Sequence, residues 1–164
     1  MEKNYIIKKA DFAYTLYRWA LDYHNSVNDL IDKQPGIQMF AVKYNNACLA
    51  YELVIKSHIA WVNHANTVTE LESKLKGKYG HNLEELTKYL ESIGIKVSVE
   101  QWRNVRVVNK YYSSQYFRYP PYEPRRVHLN HNDLLDAING LRLLTQILLP
   151  MIHSITNGYS IDNS

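Results

Sequence analysis

Cysteine occurs once, at Cys48, so no internal disulfide can form and no cysteine-based zinc site can be assembled. Glycine (six) and proline (five) are scarce in the 164 residues, and no glycine-rich loop of P-loop or dinucleotide-binding type is present. Long apolar runs are missing as well. The longest, Leu141 to Ile152, is broken by Arg142 and Gln146 and is too short to cross a bilayer, so no membrane span is expected. The start Met1-Glu2-Lys3-Asn4-Tyr5 lacks the apolar run of a secretory signal, and with the lone cysteine this points to a cytoplasmic location. No segment alternates apolar and polar residues over several positions, which excludes a sheet as the main architecture.

What is present is ordinary globular composition, 46% hydrophobic and 21% charged, at a length that suits one domain. The apolar spacing reads as an all-α, single-domain bundle of about five main helices. Its core is expected over about 10–155, with 158–164 as a flexible tail. The first helix, 8–33, places Phe12, Leu16, Trp19, Tyr23, Val27 and Leu30 on one stripe, and Pro35-Gly36 then breaks the chain. The second, 38–66, carries Ala47, Ala50, Val54 and Trp61 on one face and should pack against the first as an antiparallel hairpin. Glu52 and Lys56, four apart on it, suit a modest surface ion pair.

Three starts carry a capping residue followed three positions later by Glu or Gln: Thr69 with Glu72, Asn82 with Glu85, and Ser98 with Gln101. They predict helices near 70–76, 82–93 and 99–117. Gly94 suits the end of the middle one, and Pro120-Pro121 should impose a rigid loop over 119–129. The last helix begins near Asn130 with Leu134, Ile138, Leu141, Leu148, Ile152 and Ile155 on one face. Thr145 interrupts that face, and Pro150 should kink the helix or end it early.

Charge is uneven. Between Gln101 and Asn132 six bases (Arg103, Arg106, Lys110, Arg118, Arg125, Arg126) face a single acid, Glu123, while the rest of the chain holds 13 bases against 15 acids. Tyr111, Tyr112, Tyr116, Phe117, Tyr119 and Tyr122 are interleaved with these bases. Guanidinium groups engage phosphate and aromatic faces stack on bases, so RNA or a nucleotide fits this chemistry. Arg106, Lys110, Tyr112, Arg118, Tyr119, Arg125 and Arg126 are the candidate ligand-binding residues. The alternative for the same residues is structural: tyrosine rings in the core, arginines solvated on a helix, and Arg118 favoured at a helix end by the backbone dipole.

His81 stands at the threshold of the 82–93 helix. It could exchange protons near neutral pH beside N–H groups that favour anions, or it could simply pack before the Asn82 cap. His128, His131 and Asp133 have metal-ligating side chains but no supporting cluster, and they read as a polar helix start rather than a metal site. His58 and His64 are six apart and fall on different faces, and Cys48 reads as a small buried hydrophobe. No metal or cofactor is expected.

Two segments together, Gly80-His81-Asn82-Leu83 and Val107-Val108-Asn109-Lys110-Tyr111-Tyr112 running on to Arg118-Tyr119-Pro120, resemble the HEPN domain family. The resemblance implies a helical bundle that forms homodimers. Many members are metal-independent ribonucleases whose signature is Arg, four to six residues, then His. This chain departs from that signature: after Arg103 the possible positions hold Val108, Asn109 and Lys110, and after Arg106 they hold Tyr111, Tyr112 and Ser113. The nearest approximation is Arg103, Asn109 and Tyr111, with Asn in place of His, and Asn is neither an acid nor a base at neutral pH. Catalytic candidates are therefore His81, Arg103, Asn109 and Tyr111. The resemblance implies a non-catalytic module that dimerises and binds RNA, a nucleotide or a partner such as a nucleotidyltransferase, in a toxin–antitoxin or defence setting. The alternatives are a ribonuclease toxin with a displaced histidine and a purely structural helical scaffold.

Overall fold

A computed structural model describes residues 2–34, 39–63, 67–115 and 130–157. They form six α-helices and no strand, so the all-α expectation holds. The helices are α1 (Glu2–Lys33), α2 (Phe40–Val62), α3 (Val68–Lys74), α4 (Leu83–Ser92), α5 (Val99–Tyr112) and α6 (His131–Asn157), with a π-helical turn over Leu75–Tyr79 between α3 and α4. The expected loop over 119–129 lies outside the described residues.

The α1–α2 hairpin is antiparallel: Asn46 Nδ2 donates to Ser26 Oγ near one end and Ser57 Oγ donates to the Ala13 carbonyl near the other. The buried stripe of α1 is Ala13, Leu16, Tyr17, Ala20, His24 and Val27, rotated from the expected one, and Trp19 is left 55% exposed. Alanines at 13 and 20 let the two backbones approach, and a stripe traced through the largest side chains misses them.

α2 is the central helix. Fifteen of its 23 residues are buried, and it packs on α1, α4, α5 and α6, so its single expected apolar face is in fact burial on nearly every side. α6 lies across α2, α5 and α1. Leu134, Ile138, Leu141, Leu148 and Ile152 are buried as expected, and Thr145 does not interrupt them because its hydroxyl donates to the Leu141 carbonyl. The helix continues through Pro150 to Asn157. Pro150 is exposed, so the carbonyl that loses its partner one turn earlier lies on the solvent side, where water can satisfy it. By length and composition alone, 131–154 could cross a membrane (mean hydropathy 1.2), but 44% of that window is buried inside the bundle, as packing of a core helix requires.

The helix ends explain the remaining differences. α3 is capped by Thr67, which accepts from Glu70 N–H, rather than by Thr69. The same spacing of Thr and Glu recurs two residues earlier, and Glu70 then pairs with Lys74. Ser98 and Gln101 form the reciprocal capping box on α5. Gly94, at φ +89°, ends α4: its N–H bonds to the Glu91 carbonyl while Ile95 N–H reaches back to Leu90. α5 stops at Tyr112, short of the expected 117, because Ser113 and Ser114 hydroxyls bond back to main-chain carbonyls and Gln115 takes a left-handed φ of 54°.

The assignment of faces on α6 is testable with adjacent residues. Leu148→Ala removes a fully buried side chain and should cost about 2–5 kcal/mol in chemical denaturation, whereas Ile147→Ala, at a position 56% exposed, should stay within about 0.5 kcal/mol.

Candidate functional site

The π turn carries the chain from α3 to α4, closing with Gly80 N–H to the Leu75 carbonyl, five residues back. Gly80 takes φ +48°, a conformation side chains resist, and this aims its carbonyl at α2 and sets His81 beside α2 and α5. There Glu52, expected on the surface, is buried with Lys56: the side chains are 4% and 9% exposed, and Lys56 Nζ lies 2.8 Å from Glu52 Oε1. Lys56 also donates to the Gly80 carbonyl. The second carboxylate oxygen, Oε2, accepts from Tyr112 Oη at 2.8 Å and meets His81 Nδ1 at 3.0 Å. The His81 ring stands edge-on to Tyr112, with centroids 5.6 Å apart, and its side chain is 33% exposed.

Burial raises the Glu52 pKa, but the hydrogen bond from His81 and the charge and hydrogen bond of Lys56 outweigh it, and the net direction is down. An ionised Glu52 can only accept, so His81 carries its hydrogen on Nδ1. Nε2 has no hydrogen-bond partner among the described residues. Cys48, one turn before Glu52 on α2, is driven far toward the neutral thiol by burial and by that carboxylate, and it is no nucleophile. Tyr44, a further turn back, donates to the Val108 carbonyl. Residues 44, 48, 52 and 56 thus form a polar line at intervals of four inside the bundle.

Asn109 is part of the scaffold. Its Oδ1 accepts from Leu83 N–H at 2.8 Å and its Nδ2 donates to Glu84 Oε1 at 3.1 Å and to Asn82 Oδ1 at 3.3 Å. Asn82 Oδ1 in turn accepts from Glu84 and Glu85 N–H, whereas the Glu85 side chain pairs with Lys88 instead of completing a box. The first N–H groups of α4 are therefore taken by two asparagines, and the anion site anticipated beside His81 at this terminus is filled by the protein itself.

Arg103, by contrast, lies on the outer side of α5 in a groove of about 420 Å³ against α6, shared with Glu100, Asp133 and Asp136. Arg103 and Asn109 thus face different elements, and the approximate Arg–Asn–Tyr motif does not converge. Arg106 and Lys110 are exposed on the same outer side. The Arg106 guanidinium sits 5.2 Å from the Trp102 ring and the Lys110 ammonium 5.6 Å from the Tyr111 ring. Among the described residues none of these three cations forms an ion pair. Tyr112, a candidate for stacking on a ligand, is 3% exposed with its hydroxyl committed to Glu52, so its ring faces the core. Arg118, Tyr119, Arg125, Arg126, His128 and His64 lie outside the described residues. His58 Nδ1 bonds to Tyr89 Oη, and His131 meets the Phe40 ring edge-on. Among the described residues no group of three or more His, Cys, Asp and Glu could hold a metal ion.

Neither a family model, nor a curated protein, nor a solved structure matches the chain.

Two variants separate cap from carboxylate. Asn109→Ala leaves the buried Leu83 N–H unpaired and should cost about 1–3 kcal/mol. Glu52→Gln strands Lys56 in the interior and should cost about 3–5 kcal/mol. With its folded pKa below the unfolded value of about 4.3, Glu52 contributes stability present above that value and lost as pH falls through the lower one. Urea melts of the parent from pH 6 to pH 3 should show this acid limb, and those of Glu52→Gln a shallower one.

Proposed function

We propose that the chain is a HEPN-like module that binds single-stranded RNA through the outer side of α5, with no catalytic role for Asn109. The observation that carries this is the pair Arg106 and Lys110: exposed, without acidic partners among the described residues, and each laid against an aromatic ring. Cations held beside half-buried rings at the surface of α5 present phosphate-binding charge next to aromatic side chains, which suits a flexible polyanion with unpaired bases. Arg103 contributes less, because Glu100, Asp133 and Asp136 share its groove. Asn109 supports the non-catalytic half, since both ends of its amide hold α4. Dimerisation and a nucleotidyltransferase partner in a toxin–antitoxin or defence setting are proposed on the resemblance of the two motifs alone.

Retention of a single-stranded RNA oligonucleotide should weaken steeply with added salt. Arg106→Ala and Lys110→Ala should each weaken it for all sequences alike and lower the slope of log affinity against log salt by about one. An absence of retention at low salt would remove this function.

A further inference from the structure

α6 keeps one side that the bundle does not cover. Asp133, Asp136, Gly140, Leu143, Ile147 and Met151 follow one another at intervals of three and four, so they lie along one side of the helix. Leu143, Ile147 and Met151 are exposed, as is Pro150 beside them. Toward its N-terminal end the stripe runs into the groove of about 420 Å³ between α5 and α6, where Glu100, Arg103 and Val107 of α5 meet Asp133, Asp136 and Leu143 of α6. The two helices approach closely here because Gly140 has no side chain: a Cβ on it would overlap the Asn104 side-chain amide. Three carboxylates thus share the groove with one guanidinium, and among the described residues none of them forms an ion pair.

Large apolar side chains exposed in a row mark a contact surface rather than a solvated face. The charge at one end of the row selects what covers it. Nucleic acid is repelled by the three carboxylates, and so is an anionic bilayer. A second copy is a poor match: paired antiparallel, the acids would be buried against leucine and isoleucine without bases, and paired parallel they would meet each other. From Asp133 to Met151 the stripe runs about 27 Å at 1.5 Å per residue, about five helical turns. We propose that the α5–α6 groove and the outer stripe of α6 form a docking surface for an amphipathic helix of a partner protein. That helix lies antiparallel to α6, sets apolar side chains at three- and four-residue spacing on Leu143, Ile147 and Met151, and brings lysine or arginine in its last turn to Asp133, Asp136 and Glu100. A basic last turn also suits the partner's own helix dipole. Neither Arg106 nor Lys110 lines the groove, so this surface is separate from the one proposed for RNA and does not depend on that function.

The test titrates the full chain into three fluorescein-labelled peptides of about 18 residues, a length that matches the stripe. The first has leucines at three- and four-residue spacing and lysines in its last turn. The second has glutamate for each lysine, and the third is a scrambled form of the first. Anisotropy at low salt should show the first bound at least about tenfold more tightly than either of the others, with its advantage over the glutamate peptide shrinking as salt is added. Leu143→Ser with Ile147→Ser should weaken the first peptide at least about tenfold, and Asp133→Asn with Asp136→Asn should remove most of its advantage over the second. All four positions are exposed, so both variants should fold as the parent does, and circular dichroism checks this. If either variant unfolds, the three peptides on the parent still decide. Equal binding of the three, or binding of none, overturns the proposal. So does a parent dimer in light scattering that Leu143→Ser with Ile147→Ser turns into a monomer, which gives the stripe to a second copy. Capture by phosphatidylcholine vesicles that the same variant abolishes also overturns it and gives the stripe to a membrane.

Discussion

A carboxylate taken out of water costs several kcal/mol unless donors surround it, and the Glu52 carboxylate is surrounded by three from different places in the chain. Lys56 comes from its own helix, His81 from the turn before α4, and Tyr112 from the last turn of α5. None of these elements can slide against the others without stripping a buried charge of a partner. The π turn, the left-handed Gly80, the placement of α4 and the register of α5 all follow from that requirement. Asn109, one turn before Tyr112, extends the same constraint by capping α4. Replacing buried ion pairs with apolar residues of similar volume is often neutral or stabilising, so the cluster's contribution is a single geometry more than added stability.

Much of the bundle was legible from side-chain spacing. The long helices announced themselves through apolar repeats, and Ser98 with Gln101 marked the start of α5 to the residue, because a capping box is local chemistry that needs no tertiary partner. What spacing misread depended on what lay opposite. A stripe drawn through large residues put Trp19 inside, but close approach of α1 to α2 is set by alanines. Glu52 and Lys56 looked like any surface pair at four-residue spacing, and nothing local says that α4 and α5 close over them.

The candidate site was legible in part. His81 stood out by position, yet its partner lies 29 residues away in sequence, on a helix whose interior the hydrophobic pattern assigned to apolar contacts. Tyr44, Cys48, Glu52 and Lys56 at intervals of four were the available signal, since four polar or polarisable residues in line on an otherwise apolar helix call for partners. Asn109 stood out through the motif that it nearly completes, and its fully used amide shows how a near match can mark a capping position.

α5 presents Arg106 and Lys110 to solvent on one side and Asn109 and Tyr112 to the polar interior on the other, and fourteen residues of continuous helix make the two sides one rigid body. A load that tilts the outer side is therefore felt at the Tyr112 hydroxyl and, through the shared carboxylate, at the imidazole. By linkage such an influence is mutual: whatever free energy a ligand on the outer side would lend to the buried cluster's arrangement, a change in that cluster would return to the ligand's affinity. One helix is enough to join an outer surface to a buried carboxylate.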